Sequence, residues 1–462
     1  MSSVNQKNLL NTIGVPAGLV LSFLGLAILI LSWLGISLSP IFLWLCLGSL
    51  LTGMMVFGVS TYAGESDGIK NNGIWTNSLT NRGLLAWVSG VVITGFYIEL
   101  YWYPELLGLN SEGVNTGMIA FFDPLSYAIK GAPASQWFVY GTIYTICIVG
   151  LGVKFVFKYI HNRYQLWRTI SVMAAQLFLA YFIPEILEGM NQDQPYFAKD
   201  LKYFWPLNYY FFEDWHLNNM TDQASGAMGM FYMVWGILGF TVLTPIITYF
   251  VGKRWYCSWV CGCGGLAETA GDPFRHLSDK SIKSWKLERW LIHGVLVYIS
   301  VVTAVVLYAY FTNSSSFLGL DVYTYFRRPY AFLIGAAFSG IIGVGFYPLL
   351  GNRVWCRFGC PLAGYIGIIQ KFKSKFRITT NGGQCISCGN CSTYCEQGID
   401  VRAYAQKGEN IVRSSCVGCG ICSAVCPRGV LKLENGPEDG RINPTEILLG
   451  NDVDLMNFIN QK

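Results

Sequence analysis

The chain has 462 residues, of which 53% are hydrophobic and 13% are charged. Soluble domains carry about 25% charged residues, so the composition excludes an ordinary soluble enzyme and predicts a membrane protein. The formal net charge of +5 does not indicate a nucleic-acid partner, because the basic residues fall in loops between apolar runs.

Eight apolar runs are each long enough to cross a bilayer as a helix. The predicted spans lie at about 13–38, 41–60, 84–103, 137–157, 170–187, 228–251, 291–311 and 330–350. The first run is too long for a signal peptide and lacks a small-residue cleavage site. A surface helix is predicted near residues 118–129, and residues 252–290 are expected to form a loop rich in Lys and Arg.

The segment 188–227 between the fifth and sixth spans is rich in aromatic and acidic residues, above all from Trp205 to His216. Aromatic belts of this kind mark the membrane–water interface. We therefore expect interfacial packing here, with a partner or quinone site as the alternative.

Eight cysteines near the end of the chain form two runs with the same spacing. Each run reads Cys-x2-Cys-x2-Cys-x3-Cys, and Pro427 follows the second. This is the pattern of bacterial two-cluster ferredoxins, in which the fourth cysteine of each run binds the cluster of the other. Zinc is disfavoured because it prefers pairs of Cys-x2-Cys, and disulfides need an oxidising compartment. The spacing predicts that iron is held in cluster 1, a 4Fe–4S cluster on Cys385, Cys388, Cys391 and Cys426, and in cluster 2, a 4Fe–4S cluster on Cys416, Cys419, Cys422 and Cys395.

The residues between these cysteines refine the prediction. Gly389, Gly418 and Gly420 suit a backbone that turns tightly and points N–H groups at sulfide. Glu396 stands where a proline commonly follows the fourth cysteine. A carboxylate at that place is expected to lower the reduction potential of its cluster, since net charge tunes the potential.

A shorter motif occurs twice, each time at the end of a predicted span. Residues 253–265 read KRWYCSWVCGCGG, and residues 352–364 read NRVWCRFGCPLAG. Repeats with the same direction are related by an axis along the membrane normal, which predicts that Cys257, Cys261, Cys356 and Cys360 meet and hold a third iron–sulfur cluster. The alternative is a structural pair of turns with free thiols. Cys263 has no counterpart in the second copy, so the choice of ligands in the first copy stays open.

These two motifs, the second followed by Pro361, together with the ferredoxin run resemble the NosR/NapH-like polyferredoxin membrane proteins. The resemblance covers about residues 228–445, including 441–444 (RINP). Three features depart from that pattern: Gly262 replaces a proline, no large soluble segment precedes the first span, and the N-terminal spans are more numerous than in NapH. The resemblance implies electron transfer between a quinone pool or cytoplasmic donors and a periplasmic acceptor.

The distribution of basic residues predicts the orientation. Loops on the side of the two termini carry 27 Lys and Arg residues against 5 on the other side, and 14 against 5 without the long tail. Positive residues stay inside, so both termini and the ferredoxin domain are expected in the cytoplasm, at a bacterial inner membrane.

The sequence thus predicts an all-α polytopic membrane protein with a C-terminal α+β ferredoxin domain. The expected parts are an N-terminal membrane region at 1–227, a membrane region with the repeated motif at 228–375, the ferredoxin domain at 376–436 and a tail at 437–462. We expect an iron–sulfur electron-transfer protein whose partners are the bilayer, a quinone pool or redox subunit, and a periplasmic reductase or electron carrier. The alternatives are a quinol dehydrogenase that acts alone, and a maturation, metal-reducing or redox-sensing protein for a metalloenzyme.

Overall fold

Eight helices long and apolar enough to cross a membrane dominate the chain. A computed structural model describes residues 10–62, 77–110, 114–192, 200–381 and 384–435. The number of predicted spans is confirmed. Spans 1 to 8 are Asn11–Trp33, Pro40–Tyr62, Leu84–Trp102, Gln136–Lys158, Arg163–Met190, Gln223–Phe250, Ile282–Thr312 and Tyr323–Gly345.

Spans 5 and 7 begin earlier than predicted because polar residues cap and extend them. The side chain of Asn162 accepts hydrogen bonds from the N–H groups of Tyr164 and Gln165, and Ser281 accepts one from Ser284. Such caps fix the first turn of a helix. Hydropathy alone therefore predicts connections where the polar first turns of spans 5 and 7 lie.

The prediction of a loop at 252–290 is wrong in one respect, because this segment contains short helices. These are Trp255–Trp259, Gly262–Thr269 and a 3-10 turn at Asp272–Leu277. The helix predicted near 118–129 is present as Gly117–Lys130, and one of its faces is buried in the bundle. Further short helices lie at Asn77–Thr80, Pro104–Leu107, Asp214–Thr221, Tyr347–Leu350, Trp355–Gly359 and Pro361–Lys373.

Glycines allow close contact between neighbouring spans. A Cβ at Gly18 of span 1 would lie 2.5 Å from the backbone nitrogen of Phe57 in span 2. One at Gly58 of span 2 would lie 2.6 Å from the Cα of Lys154 in span 4. Small residues at such positions let membrane helices approach, so spans 1, 2 and 4 form one tightly packed layer.

Interfacial packing was predicted for the aromatic loop before span 6, and the structure shows that part of this loop packs between spans. It turns back into the bundle: Leu201 donates to the carbonyl of Leu179 in the middle of span 5, and Trp205 donates to Thr303 in span 7 at 3.0 Å. Phe204 and Phe211 are buried against glycines of span 6. Irregular backbone is stable at membrane depth when protein surrounds it, and these side chains fill the space between spans.

The ferredoxin domain is framed by an antiparallel pair of strands. Outside this domain, β1 (Ser316–Phe317) and β2 (Leu320–Asp321) form a short hairpin that joins spans 7 and 8. In the ferredoxin domain β3 (Phe376–Thr380) pairs with β4 (Leu431–Asn435). The helices between these two strands are Asn390–Thr393, Val401–Lys407 and Ile421–Ala424.

Candidate redox centres

Two cavities in the ferredoxin domain are lined by the two predicted sets of cysteines. The first is lined by Cys385, Cys388, Cys391 and Cys426, and the second by Cys395, Cys416, Cys419 and Cys422. The fourth cysteine of each run thus faces the cavity of the other run, as the spacing predicts. That these cysteines bind iron stays a prediction.

Four thiols line each cavity, which is the number of protein ligands that a cubane takes. Among the described residues, no three His, Cys, Asp or Glu side chains converge on one point at metal-ligand distance. A cubane keeps its four thiolates at separate corners, so its ligands line a cavity instead. Burial raises the pKa of Cys395 to about 11 and that of Cys419 to about 12. Thiolates at these sites need a cationic core to stabilise them.

Left-handed glycines shape both cluster loops. Gly389, Gly418 and Gly420 have φ angles of 81°, 67° and 70°, which residues with a side chain rarely adopt. Gly389 and Gly420 directly precede the helices that begin at Asn390 and Ile421. The backbone turns that the sequence predicted are therefore present.

A third group of cysteines, the cysteine centre, lies where the membrane region meets the ferredoxin domain. It comprises Cys257, Cys261, Cys263, Cys356 and Cys360, and these five side chains share one apolar cluster. All except Cys263 are buried. Burial raises the pKa of Cys257 well above its usual range, and negative charge on Cys356, Cys360 and Cys261 raises it further. The duplicated motif therefore brings its cysteines together, as predicted.

The two copies of the motif have the same local structure. The second cysteine of each copy, Cys261 or Cys360, has an extended backbone and directly precedes a helix. Those helices begin at Gly262 and at Pro361, and proline suits the first position of a helix. The sulfur of Cys360 accepts a hydrogen bond from the N–H of Ala363, as Cys261 does from that of Gly264. Helix N-termini favour thiolates.

Two arginines at equivalent positions link the copies to each other. Arg254 donates to the carbonyl oxygen of Cys356 at 2.9 Å, and Arg353 donates to that of Cys257 at 3.0 Å. Each arginine precedes the first cysteine of its own copy by three residues and bonds to the first cysteine of the other. This reciprocal pair is the internal two-fold relation that the repeat implied, and we call it the arginine clamp.

The arginine clamp also holds the ferredoxin domain. Arg254 donates to the carbonyl of Ser414 at 2.7 Å, just before Cys416 of cluster 2. Arg353 donates to the carboxylate of Glu396 at 2.9 Å, directly after Cys395 of the same cluster. Each arginine thus connects the cysteine centre to the neighbourhood of cluster 2.

Further bonds place the second cysteine run on the membrane region. Tyr164 donates to the carbonyl of Gly418 at 2.8 Å, Gln165 to that of Cys419, and Ser258 to that of Val417 at 3.1 Å. Tyr164 and Gln165 begin span 5, and Ser258 lies between the cysteines of the first copy. Cluster 2 therefore faces the membrane region and the cysteine centre.

A buried ionic network lies beneath cluster 2. Glu396 is 1% exposed and pairs with Arg275 at 2.8 Å and with Arg353 at 2.9 Å. Burial raises the pKa of Glu396, but Arg275 and Arg353 outweigh it and hold that pKa below its usual value. The network continues through Glu268 and Asp272 to three further cations, Arg168, Lys154 and Lys158.

This network changes the expectation for Glu396. Among the described residues, five cations of this network meet three carboxylates, a formal charge of +2. An oxidised cubane with four thiolates carries about −2, so the network offsets the charge of a docked cluster. Glu396 alone would lower the potential of cluster 2, but the described ion pairs around it contain more cations than carboxylates. Here the carboxylate joins the domain to the membrane region.

One side chain at the cysteine centre, that of Lys202, is not predicted by any sequence motif. Lys202 is buried on the loop that turns back into the bundle, and its charge acts on Cys261 and Cys263. A hydrogen bond from Cys263, with smaller help from Lys202, lowers the pKa of Cys261 to about 6. This contact could not be predicted from the sequence, because Lys202 is far from the cysteines along the chain and belongs to no recognisable motif. By contrast, the shared arginine three residues before each first cysteine was visible in the repeat.

Family models match both redox regions. A 4Fe-4S dicluster domain model matches residues 377–427. A 4Fe-4S binding domain model matches twice, at 233–281 and at 331–379. The double match covers the two copies of the motif, which supports their common origin. No solved structure matches the chain.

Curated relatives carry names from electron transport and ferredoxin proteins. YccM of Escherichia coli K12, named for electron transport, is 29% identical over 161 residues, which are 32% of this chain and 43% of that protein. The methylamine utilization ferredoxin-type protein MauN of Paracoccus denitrificans is 26% identical over 181 residues, 37% of this chain and 59% of its own. MauN of Methylorubrum extorquens is 28% identical over 172 residues, 36% and 55% of the two chains. The matches span about half the length of these relatives. In its spans and its cysteine motifs, the chain is thus similar to membrane-associated electron-transport proteins of the 4Fe-4S ferredoxin type.

Proposed function

We propose that the protein passes electrons between clusters 1 and 2 and a third iron–sulfur cluster held by Cys257, Cys261, Cys356 and Cys360, and from there to a quinone or a partner in the membrane. The observation that carries this proposal is the arginine clamp, because the same two side chains bond to the first cysteine of each copy and to residues beside Cys395 and Cys416. Bound clusters would supply one-electron redox chemistry, and the protein supplies position and electrostatics.

The chain's own groups have separate parts in this proposal. The cysteine thiolates hold iron, and the glycine turns present backbone N–H groups to each cluster. Apolar residues around the cysteine centre, such as Trp255, Trp355 and Phe204, exclude water. Arg254 and Arg353 keep two redox centres in fixed relation, which electron transfer between them requires.

The orientation and the partners are part of the same proposal. We infer from the Lys and Arg distribution that the ferredoxin domain lies in the cytoplasm of a bacterial inner membrane. The quinone pool or a periplasmic reductase is then the second redox partner, as the resemblance to NosR/NapH-like proteins implies. Residues 441–444, which contribute to that resemblance, lie outside the described residues.

The route through the cysteine centre is tested by Cys360→Ser. Electron transfer from the ferredoxin clusters into the membrane should stop, because one corner of the third cluster is lost. Clusters 1 and 2 should keep their spectra, because their eight ligands lie elsewhere. The measurement is EPR of the reduced ferredoxin clusters together with the rate of reduction of a quinone analogue in proteoliposomes.

The matched variant is Cys426→Ser, which should damage cluster 1 and leave the cysteine centre assembled. A structural role of Cys360 would instead appear as low abundance of the protein. A Cys360→Ser protein of normal abundance that passes electrons at the wild-type rate would rule out the relay and leave the duplicated motif as a structural turn.

A further inference from the structure

The cluster 1 loop faces away from the membrane region. Ile386 is 55% exposed, and the neighbouring Ser387 and Cys388 are exposed as well. Within the described residues, the hydrogen bonds of segment 384–391 stay inside the ferredoxin domain. Cluster 1 is therefore accessible from the aqueous side.

This exposed face is basic. Arg402 and Arg428 line the cluster 1 cavity, and both are exposed. Neither has an ion-pair partner among the described residues. Over the described part of the ferredoxin domain, the exposed cations Arg402, Lys407, Arg428 and Lys432 outnumber the single exposed carboxylate, that of Glu409.

We propose that this face docks a small, soluble, acidic electron-carrier protein. The inference rests on the proposed function and adds the class of partner that exchanges electrons with cluster 1. Ile386 and Pro427 form a small apolar centre beside the exposed Cys388, and the two arginines lie at its rim. Redox encounters use small interfaces of this kind, in which complementary charge sets the rate of association.

The electron balance is simple. The reduced carrier loses one electron, and oxidised cluster 1 gains it; no bond forms and no proton moves. Cluster 2 then takes the electron from cluster 1, since it lies next to it on the membrane side. The reverse direction uses the same surfaces, so the docking proposal does not depend on the direction of flow.

The position of this face favours a soluble partner over a lipid surface. Cluster 2 occupies the side of the domain that bonds to span 5, to the short helix Trp255–Trp259 and to the arginine clamp. Strand β4 runs from Leu431 at the cluster 1 cavity to Asn435, which bonds to the carbonyl of Phe250 at the end of span 6. The cluster 1 cavity is thus at the end of the strand away from the membrane.

The experiment follows reduction of cluster 1 in the full-length protein, in nanodiscs of neutral lipid, by a reduced acidic 2Fe–2S ferredoxin in stopped flow. The double variant Arg402→Glu/Arg428→Glu should lower the second-order rate constant at low salt about tenfold or more. The wild-type rate should fall as salt rises, while the rate of the variant should not. The matched control Lys371→Glu reverses an exposed cation on the helix near the membrane and should change the rate less than twofold.

Dithionite in 0.5 M salt, where charge is screened, should reduce all three proteins equally, which shows that their clusters are intact. The milder Arg402→Gln/Arg428→Gln should give a smaller loss in the same direction and serves if the reversal variant is unstable. An unchanged rate in both double variants, or an equal loss in Lys371→Glu, would overturn the proposal. Slowing of the wild type by anionic vesicles, with no effect on the variant, would show a lipid site instead. Failure of the proposed function would give a different result: ferredoxin would still reduce cluster 1, but the Cys360→Ser protein would transfer electrons into the membrane at the normal rate.

Discussion

The two halves of the ferredoxin domain share one cysteine spacing but have opposite surroundings. The loop around Cys388 is exposed and is held by bonds within its own domain, whereas the loop from Ser415 to Gly420 is largely buried against the membrane region. The difference arises outside the cysteines, in the residues that contact each loop. Identical cysteine motifs therefore have different surroundings: the cavity predicted to hold cluster 1 is accessible to solvent, and the one predicted to hold cluster 2 is held against the membrane region.

The largest difference between the halves should appear when one ligand is removed from each. Cys422→Ser should release the domain from the membrane region and lower its abundance severalfold, because the loop of cluster 2 forms the interface. Cys388→Ser should cost about four iron atoms per chain and leave the domain docked. Limited proteolysis and iron analysis measure both effects. If both variants released the domain equally, the conclusion that only the loop of cluster 2 forms the interface with the membrane region would be wrong.

Removal of Arg353 from the arginine clamp should destabilise the protein more than removal of Arg254. Arg353→Met leaves Glu396 with Arg275 alone and Glu268 with Arg168 alone, and breaking buried ion pairs costs about 3–5 kcal/mol. Arg254→Met removes bonds to carbonyl groups and leaves no carboxylate short of a partner, so a cost of about 1–3 kcal/mol is expected. Domain release in denaturant gives both values. The exposed Arg428→Met is the control, with an effect within about 0.5 kcal/mol. A larger loss of stability in Arg254→Met than in Arg353→Met would contradict the conclusion that Glu396 joins the ferredoxin domain to the membrane region.

Neutralising Glu396 should change cluster 2 and not cluster 1. Glu396→Gln keeps a hydrogen-bond acceptor for Arg353 and removes one negative charge, so the reduction potential of cluster 2 should rise on the order of 50 mV. Cluster 1 should keep its potential, as both clusters should in Glu409→Gln, where the carboxylate is exposed. A redox titration followed by EPR resolves the two clusters. An unchanged or lower potential of cluster 2 in Glu396→Gln would show that the charge of Glu396 does not reach it.

The sequence alone was enough for the spans and for the way the cysteines group. Hydropathy predicts spans well because a helix must satisfy its own backbone in the bilayer, and the cysteine spacing reflects the geometry of a cubane. The Arg-aromatic-Cys repeat predicted the meeting of its two copies. Each of these signals is local or periodic in the sequence, and for that reason it could be recognised without a structure.

What escaped prediction depends on contacts between distant parts of the chain. The position of Glu396 was noticed as an exception, but its partners Arg275 and Arg353 lie more than 40 residues away in sequence, and no local pattern announces them. The aromatic loop was assigned to the interface because its composition fits a belt, whereas Gly236 and Gly239 of span 6 leave room for Phe211 and Phe204 inside the bundle. Packing of this kind depends on which helices are neighbours.

The central claim is that the duplicated motif holds a third cluster beside cluster 2. Its most direct test is iron and acid-labile sulfide analysis, with Mössbauer spectra, of wild-type and Cys356→Ser proteins purified without oxygen. The account predicts about twelve iron atoms per chain in the wild type and about eight in the variant, since each cubane holds four, with the ferredoxin clusters unchanged. Eight iron atoms in both proteins, at equal abundance and with identical spectra, would contradict it.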